Sequence, residues 1–393
     1  MQTTVIQVDG SHPDEQLLLP AAVALARGDL VAFPTETVYG LGADALNNQA
    51  VARIFQVKGR PPDNPLIVHG ADLATLEPLV RQIPPLARLL LEKLSPGPLT
   101  LVLRRAAHVP DLVTAGLDTV AVRIPDHPVA LSLLRLAGVA VAAPSANRSG
   151  RPSPTQAWHV LQDFRERIPY LIDGGPCRYG LESTVVDMTG EQPVILRPGS
   201  VTVATIEQLT GLGTLTDAEA AARARTGLER QNAPRAPGMK YRHYAPRAAV
   251  FILDAEGVSA ATPSCRGSGQ PLAAQIAAWQ SAGRRIGIFA SEATLQQLCL
   301  PCQEAGKDST GSRTDAAADC FSLAYGPCPE AVQASRMLFD ALRILDSLGC
   351  DIIIAEGLPD DGIGSAYMNR LKKAACPADL QPSGDDYHES ETE

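Results

Sequence analysis

From residue 15 to about residue 200, short apolar runs alternate with stretches of helical spacing. The runs at 30–33, 65–68, 99–103, 119–124, 139–143, 184–187 and 194–196 read as strands. Between them, 49–57 and 86–94 carry apolar residues three and four apart, as a half-buried helix requires. A third helix opens near Asp126, with Pro128 suited to its first position, and runs through Leu136. Several strand pairs have no helix between them, which predicts a mixed rather than a purely parallel sheet.

The pattern changes after residue 210. Residues 211–247 show no strand signal and are rich in Ala, Arg, Gly and Pro, and the closing APRAPGMKYRHYAP has too little apolar surface to fold alone. Alternation then resumes. Residues 250–253, 286–289 and 351–355 read as strands, 272–279 as a helix, and Val332, Leu338, Leu342, Leu345 and Leu348 as the stripe of a long helix. This predicts a smaller parallel α/β domain over 248–376. Residues 255–270 and 303–319 read as loops, and 377–393, with five carboxylates in its last nine residues, as a disordered acidic tail.

At 393 residues and 45% hydrophobic, the chain is long enough for two domains, and wholesale disorder is excluded. No apolar run approaches the ~20 residues that span a bilayer, and MQTTVIQVDGSHPDEQ lacks the basic and apolar parts of a secretory signal. A soluble, cytoplasmic protein is expected. The net charge of −9 divides unevenly: −3 over 1–210, +4 over 211–247 and −10 over 248–393. The basic strip is either a solvated linker or a strap drawn onto an anionic ligand. Of eight cysteines, Cys177 stands alone early and seven follow residue 264. Cys299 and Cys302 form a CxxC without a second pair or histidines at ligand spacing, so reduced, partly buried thiols are expected.

Three segments are too polar and too bounded by Gly and Pro for core packing alone. In Pro34-Thr-Glu-Thr-Val-Tyr-Gly40, two hydroxyls and a carboxylate follow a strand, ready for a small polar ligand or for a turn leading into a capped helix. In KGRPPDNPLIVH, Lys58 and Arg60 end a helix, where they either complement its dipole or form a phosphate clamp; Asn64 and His69 flank the following strand. In APSANRSGRPSPT, Ser145, Asn147, Ser149 and Ser153 accompany Arg148 and Arg151 on a loop after a strand, which suits polyphosphate or an ordinary polar surface. The chain contains no GxxxxGK[ST], GxSxG or HExxH, and no GxGxxG after the first strand.

These segments, with LSPGPLTLVL, TVAVRIPDHP, GLESTVVD and ILRPGS, occur in order across residues 34–200. Together they resemble the threonylcarbamoyl-AMP synthase family, the YrdC-like proteins, in its longer two-domain form. PGMKYRHYAP resembles that form's linker, and AEGLPDDGIGSAYMNRLKKAA at 355–375 the end of its C-terminal domain. The resemblance implies a YrdC-like α/β fold over 1–210, a twisted mixed sheet around a large concave cavity. A basic Pro-rich linker at 211–247 and a Rossmann-like accessory domain at 248–376 follow.

The implied reaction joins L-threonine, bicarbonate or carbon dioxide, and ATP into threonylcarbamoyl-AMP, releasing pyrophosphate. The product then passes to transferase proteins that modify the adenosine beside the anticodon of tRNA. No protein nucleophile is needed, so positioning and charge stabilisation are expected, with Mg2+ on the phosphates. The resemblance implies that Lys58, Arg60, Asn64, Thr119, Ala143, Ser145, Asn147, Ser153, Arg197 and Tyr244 face ATP. It implies that Thr37, His69, Arg123 and Ser183 hold L-threonine, with Arg123 on its carboxylate. The basic strip becomes a lid over ATP that offers at most a weak contact to RNA. Two other classes fit less well, an RNA-binding module on the same fold and an ATP-dependent carbamoyl transferase for other substrates. Few aromatic residues and an acidic balance argue against the first, and the absence of an acylphosphate-handling region against the second.

Overall fold

The computed structural model of the chain describes residues 2–224, 244–254, 257–259, 272–298, 302–305 and 320–375. The lid expected over 211–247 lies largely outside the described residues, at 225–243, as do the expected tail at 377–393 and Cys265, Cys299 and Cys376.

Among the described residues, eleven strands form one sheet. Their order is Thr4–Gln7, Tyr170–Asp173, Val31–Phe33, Gly40–Asp44, Val141–Ala142, Ile67–His69, Thr119–Arg123, Leu99–Arg104, Thr184–Asp187, Val194–Arg197 and Leu215–Thr216. Parallel and antiparallel pairs interleave, so the sheet is mixed as expected. Its strands are nearly all buried on both faces because helices cover them. The helix Asn48–Lys58 starts where the Asn47 side chain accepts hydrogen bonds from the backbone N–H of Gln49 and Ala50. It stops at Gly59, whose φ of 59° a side chain would resist. Its Val51, Ile54 and Phe55 are buried, each contributing about 1.5–3 kcal/mol by leaving water. The helix Pro128–Ala137 begins on proline, with the His127 ring accepting from the N–H of Val129.

The linker expectation needs correction at its start. Leu215–Thr216 adds a parallel edge to Val194–Arg197, and the helix Asp217–Ala224 follows. Thr216 and Glu219 bond reciprocally there, a capping arrangement that charge and proline counts do not register.

The second sheet runs Gly257–Ser259, Ala249–Asp254, Ile352–Glu356, Ile286–Ala290, Cys320–Ala324 and Gln303–Glu304 among the described residues. Every pairing is parallel except the edge pair of Ala249–Asp254 with Gly257–Ser259. The helices Leu272–Ser281, Glu292–Leu298, Ala331–Ser347 and Gly362–Ala374 accompany it. Gly257–Ser259 and Gln303–Glu304 are thus strands where loops were expected. Cys302 and Cys320 form a disulfide with Cα atoms 4.7 Å apart, correcting the expectation of reduced thiols for that pair, while Cys177 and Cys350 are free and buried as expected. The parallel register of Gln303 with Phe321 puts these two cysteines side by side. Among the described residues, no helix is long and apolar enough to cross a membrane.

The two sheets are joined through buried polar contacts rather than chain continuity alone. From the helix Ala331–Ser347, the Arg343 guanidinium donates to the carbonyl of Pro152 and to Asp163 at 2.7 Å. On the same helix, Asp340 meets the fully buried His159 at 2.9 Å. From the helix Gly362–Ala374, Arg370 donates to Glu182 and to the carbonyl of Pro198.

Candidate active site

A cleft opens where the loops after several strands of the large sheet converge. Ten of the fourteen expected residues line it: Arg60, His69, Arg123, Ala143, Ser145, Asn147, Ser153, Ser183, Arg197 and Tyr244. Together with Thr35, which also lines it, they come from seven separate segments, so the fold and not local sequence assembles the site.

One end is organised by strand register. Ile67–His69 runs parallel to Thr119–Arg123 with His69 directly opposite Arg123. The Arg123 guanidinium donates to Thr37 Oγ1 at 2.9 Å and lies 2.8 Å from a Glu36 carboxylate oxygen. Glu36 is buried, and neither of its oxygens has a hydrogen bond of good geometry, so it answers Arg123 as a charge. Burial and the neighbouring Arg123 push the His69 pKa down to about 3, so its imidazole is neutral at pH 7. Its Nδ1 is buried without a hydrogen-bond partner. Thr37 does not line the cleft itself but stands behind Arg123.

Thr35 serves the loop rather than the cleft's chemistry. Its hydroxyl donates to the carbonyl of Val38 at 2.7 Å and accepts from the N–H of Thr37 and Val38. The turn leads into the strand Gly40–Asp44 and not into a capped helix, which corrects that alternative.

The other end carries the guanidinium groups of Arg60 and Arg197. Arg60 donates to the carbonyls of Asn64 and Pro65, and burial pushes its pKa down to about 10, leaving it charged. Arg197 donates to the carbonyl and hydroxyl of Ser183, whose Oγ is also hydrogen-bonded to Thr100 Oγ1 at 2.8 Å. Ser145 donates to Asn147 Oδ1 at 2.5 Å, while Asn147 Nδ2 bonds the carbonyls of Arg148 and Arg151 and closes the loop on itself. Tyr244 is buried at φ 69° and stacks on Phe339, ring centroids 5.1 Å apart.

Several expected residues stand elsewhere. Lys58 does not line the cleft; its buried ammonium donates to the carbonyls of Ser145 at 2.6 Å and of Asn147. Burial lowers its pKa well below the ordinary lysine value. Asn64 is buried behind Arg60 with its Oδ1 unpartnered. Thr119 sits at the far end of its strand, opposite Arg104 and four residues from Arg123, and does not reach the cleft. Arg151 turns its guanidinium to Asp163 at 2.8 Å, and Asp163 also accepts from the backbone N–H of Arg148, whose side chain is exposed.

The residue missed outright is Glu182. It lines the cleft and accepts the Ser153 hydroxyl at 2.5 Å. Its only signal was its place inside GLESTVVD beside Ser183. Among the described residues, no three His, Cys, Asp or Glu side chains are grouped to hold a metal ion.

Comparison with known proteins adds to this geometry. A family model described as "Telomere recombination" matches residues 23–199, and one described as "Threonylcarbamoyl-AMP synthase, C-terminal domain" matches 201–376. The chain is 44% identical over 355 residues to the threonylcarbamoyl-AMP synthase of Pyrococcus abyssi, covering 90% of this chain and 93% of that protein. It is also 44% identical over 369 residues to the Bacillus subtilis protein of the same name, covering 93% and 95%. A crystal structure of Pyrococcus abyssi Sua5 complexed with L-threonine superposes with a TM-score of 0.76 at 42% identity, covering 95% of this chain and 97% of that one.

Proposed function

The chain belongs to the threonylcarbamoyl-AMP synthase family in its two-domain form, and we propose from that premise how its residues divide the making of threonylcarbamoyl-AMP. The enzyme transfers an adenylyl group. The neutral amine of L-threonine adds to bicarbonate-derived carbon dioxide and loses a proton to solvent, leaving a carbamate whose oxygen attacks the α-phosphorus of ATP in line while the bond to pyrophosphate breaks. The nucleotide enters with magnesium on its phosphates, as part of the substrate. The product goes on to a transferase acting on tRNA, and the cytoplasm is the expected compartment for this sequence of reactions.

Threonine belongs at the Arg123 end. A buried guanidinium with donors beyond those used by Thr37 and Glu36 suits a carboxylate. His69, neutral at pH 7, offers a hydrogen bond to the amino acid and is too weakly basic, with its pKa near 3, to take the amine's proton. ATP belongs at the Arg60 and Arg197 end, with Ser145, Asn147, Ser153 and the backbone of Ala143 around its phosphates and Tyr244 beside the nucleotide. Lys58 and Asn64 act from behind, Lys58 by holding the two carbonyls that shape the Ser145 loop. Catalysis on this reading is alignment of two bound substrates plus charge stabilisation.

The observation that carries this reading is the convergence of seven segments on one cleft with guanidinium groups at both ends. It is tested by pyrophosphate release from MgATP, which should require both L-threonine and bicarbonate. Release at an unchanged rate without threonine, or none with all substrates present, would sink it.

A further inference from the structure

Arg370 is fully buried and belongs to the second sheet's helix Gly362–Ala374, yet its guanidinium ends at the wall of the cleft. It donates to Glu182 Oε2 at 2.9 Å, to the Glu182 carbonyl at 3.3 Å and to the Pro198 carbonyl at 2.8 Å. A further bond goes to Asn369 at 3.1 Å. Of these partners, Glu182 itself lines the cleft beside Ser183, and Pro198 is next to the cleft residue Arg197. The other oxygen of Glu182 holds the Ser153 hydroxyl.

A carboxylate in the wall is out of place beside a polyphosphate. Burial alone would raise the Glu182 pKa, but Arg370 and Arg197 with two hydrogen bonds hold it below the ordinary value, so it stays ionised. Net stability does not explain such a pair, because a buried ion pair commonly contributes no more than well-packed apolar residues would.

We propose that Arg370 is a positioning residue for the nucleotide half of the cleft. It neutralises Glu182, so that this carboxylate can fix the Ser153 side chain by accepting its hydrogen bond without repelling a triphosphate, and it anchors the backbone that carries Arg197. The C-terminal domain thereby completes the ATP site without touching the nucleotide. This inference rests on the reading that ATP occupies the Arg197 end.

The test uses the full chain and the pyrophosphate assay. Arg370→Met leaves Glu182 charged and unpaired, and should raise KM for ATP by about tenfold or more while KM for threonine moves by less than about twofold. Glu182→Gln added to Arg370→Met removes the unpaired charge and should return KM for ATP to within about threefold of the parent. A purely structural role would move both KM values together and would not be rescued. An unchanged KM for ATP in Arg370→Met, parallel rises in both KM values, or a double variant no better than the single would overturn the inference. Should Arg370→Met fail to fold, the double variant still decides: near-parent KM for ATP supports charge compensation, and a large rise refutes it. Failure of the unsubstituted chain to release pyrophosphate would overturn the proposed function itself, which separates the two outcomes.

Discussion

Arg123 is only 4% exposed, and a single nitrogen of its guanidinium serves both Thr37 and Glu36. Its Nε donates to the Gly97 carbonyl at 3.4 Å, so the N–H groups of the other Nη are what a substrate carboxylate would engage. Arg123→Ala should raise KM for threonine by about 10- to 100-fold, the worth of one or two charge-assisted bonds, with a smaller change for ATP. Arg123→Lys should recover little, since an ammonium cannot reproduce the planar fork. Steady-state kinetics with each substrate varied in turn checks this, and an ATP effect exceeding the threonine effect would refute the placement. At this scale the sequence was readable where a motif named the residue, as for Arg123, Ser145 and Arg197. It was unreadable where a side chain's partner is a distant backbone. Lys58 looks like a phosphate ligand in the string KGRPPDNP, but its ammonium meets the carbonyls of Ser145 and Asn147, 87 and 89 residues onward.

At the scale of elements, the cleft depends on how closely loops and strands approach. In the ILRPGS segment, Gly199 lies against the strand Thr184–Asp187 so tightly that an added Cβ would fall 2.4 Å from the Thr184 nitrogen and 2.6 Å from its hydroxyl. The neighbour at fault is strand backbone, which cannot swing away. Gly199→Ala should therefore push the loop off the strand, cost about 1–3 kcal/mol of stability, and displace Arg197 two residues earlier. Thermal melting should fall, and KM for ATP should rise more than KM for threonine; an alanine variant with unaltered melting and kinetics would contradict it. Which elements could be read beforehand follows the same physics. Thr119–Arg123 and Thr184–Asp187 are dense in β-branched residues and declare themselves. Gly40–Asp44 carries two glycines in GLGAD, and Gly42 is there because a Cβ would meet Phe33 and Val141 at 2.8 Å, so close packing erased the strand's propensity. The pairing of His69 with Arg123 is a register, and register belongs to two strands at once.

Across the whole molecule, the two sheets are fastened by charged and polar groups buried at their joint, among them the titrating His159. His159, on Ala157–Phe164 of the first body, accepts from the Thr155 N–H and meets Asp340 of the second at 2.9 Å. Burial lowers its pKa to about 4, with Asp340 and Asp163 opposing that shift and Arg343 adding to it. An unfolded histidine titrates near 6.5, so its folded value is the depressed one. Its contribution to stability is then complete above about pH 6.5 and is lost as pH falls toward about 4, because the unfolded chain binds the proton more readily. His69, with its folded pKa near 3, loses stability in the same direction and over an overlapping window. His159→Gln keeps a polar side chain at the joint without a group that titrates there. The melting temperature of the parent should drop more steeply between pH 7 and pH 4.5 than that of the variant, even though the variant starts lower at pH 7. Parallel curves would show that His159 does not couple the joint to pH. Because Asp340 shares the helix Ala331–Ser347 with Arg343, which grips the Pro152 carbonyl at the end of the Ser145 loop, acid weakening of this joint should reach the ATP end of the cleft. KM for ATP should therefore rise on acidification before KM for threonine does, and less so in His159→Gln.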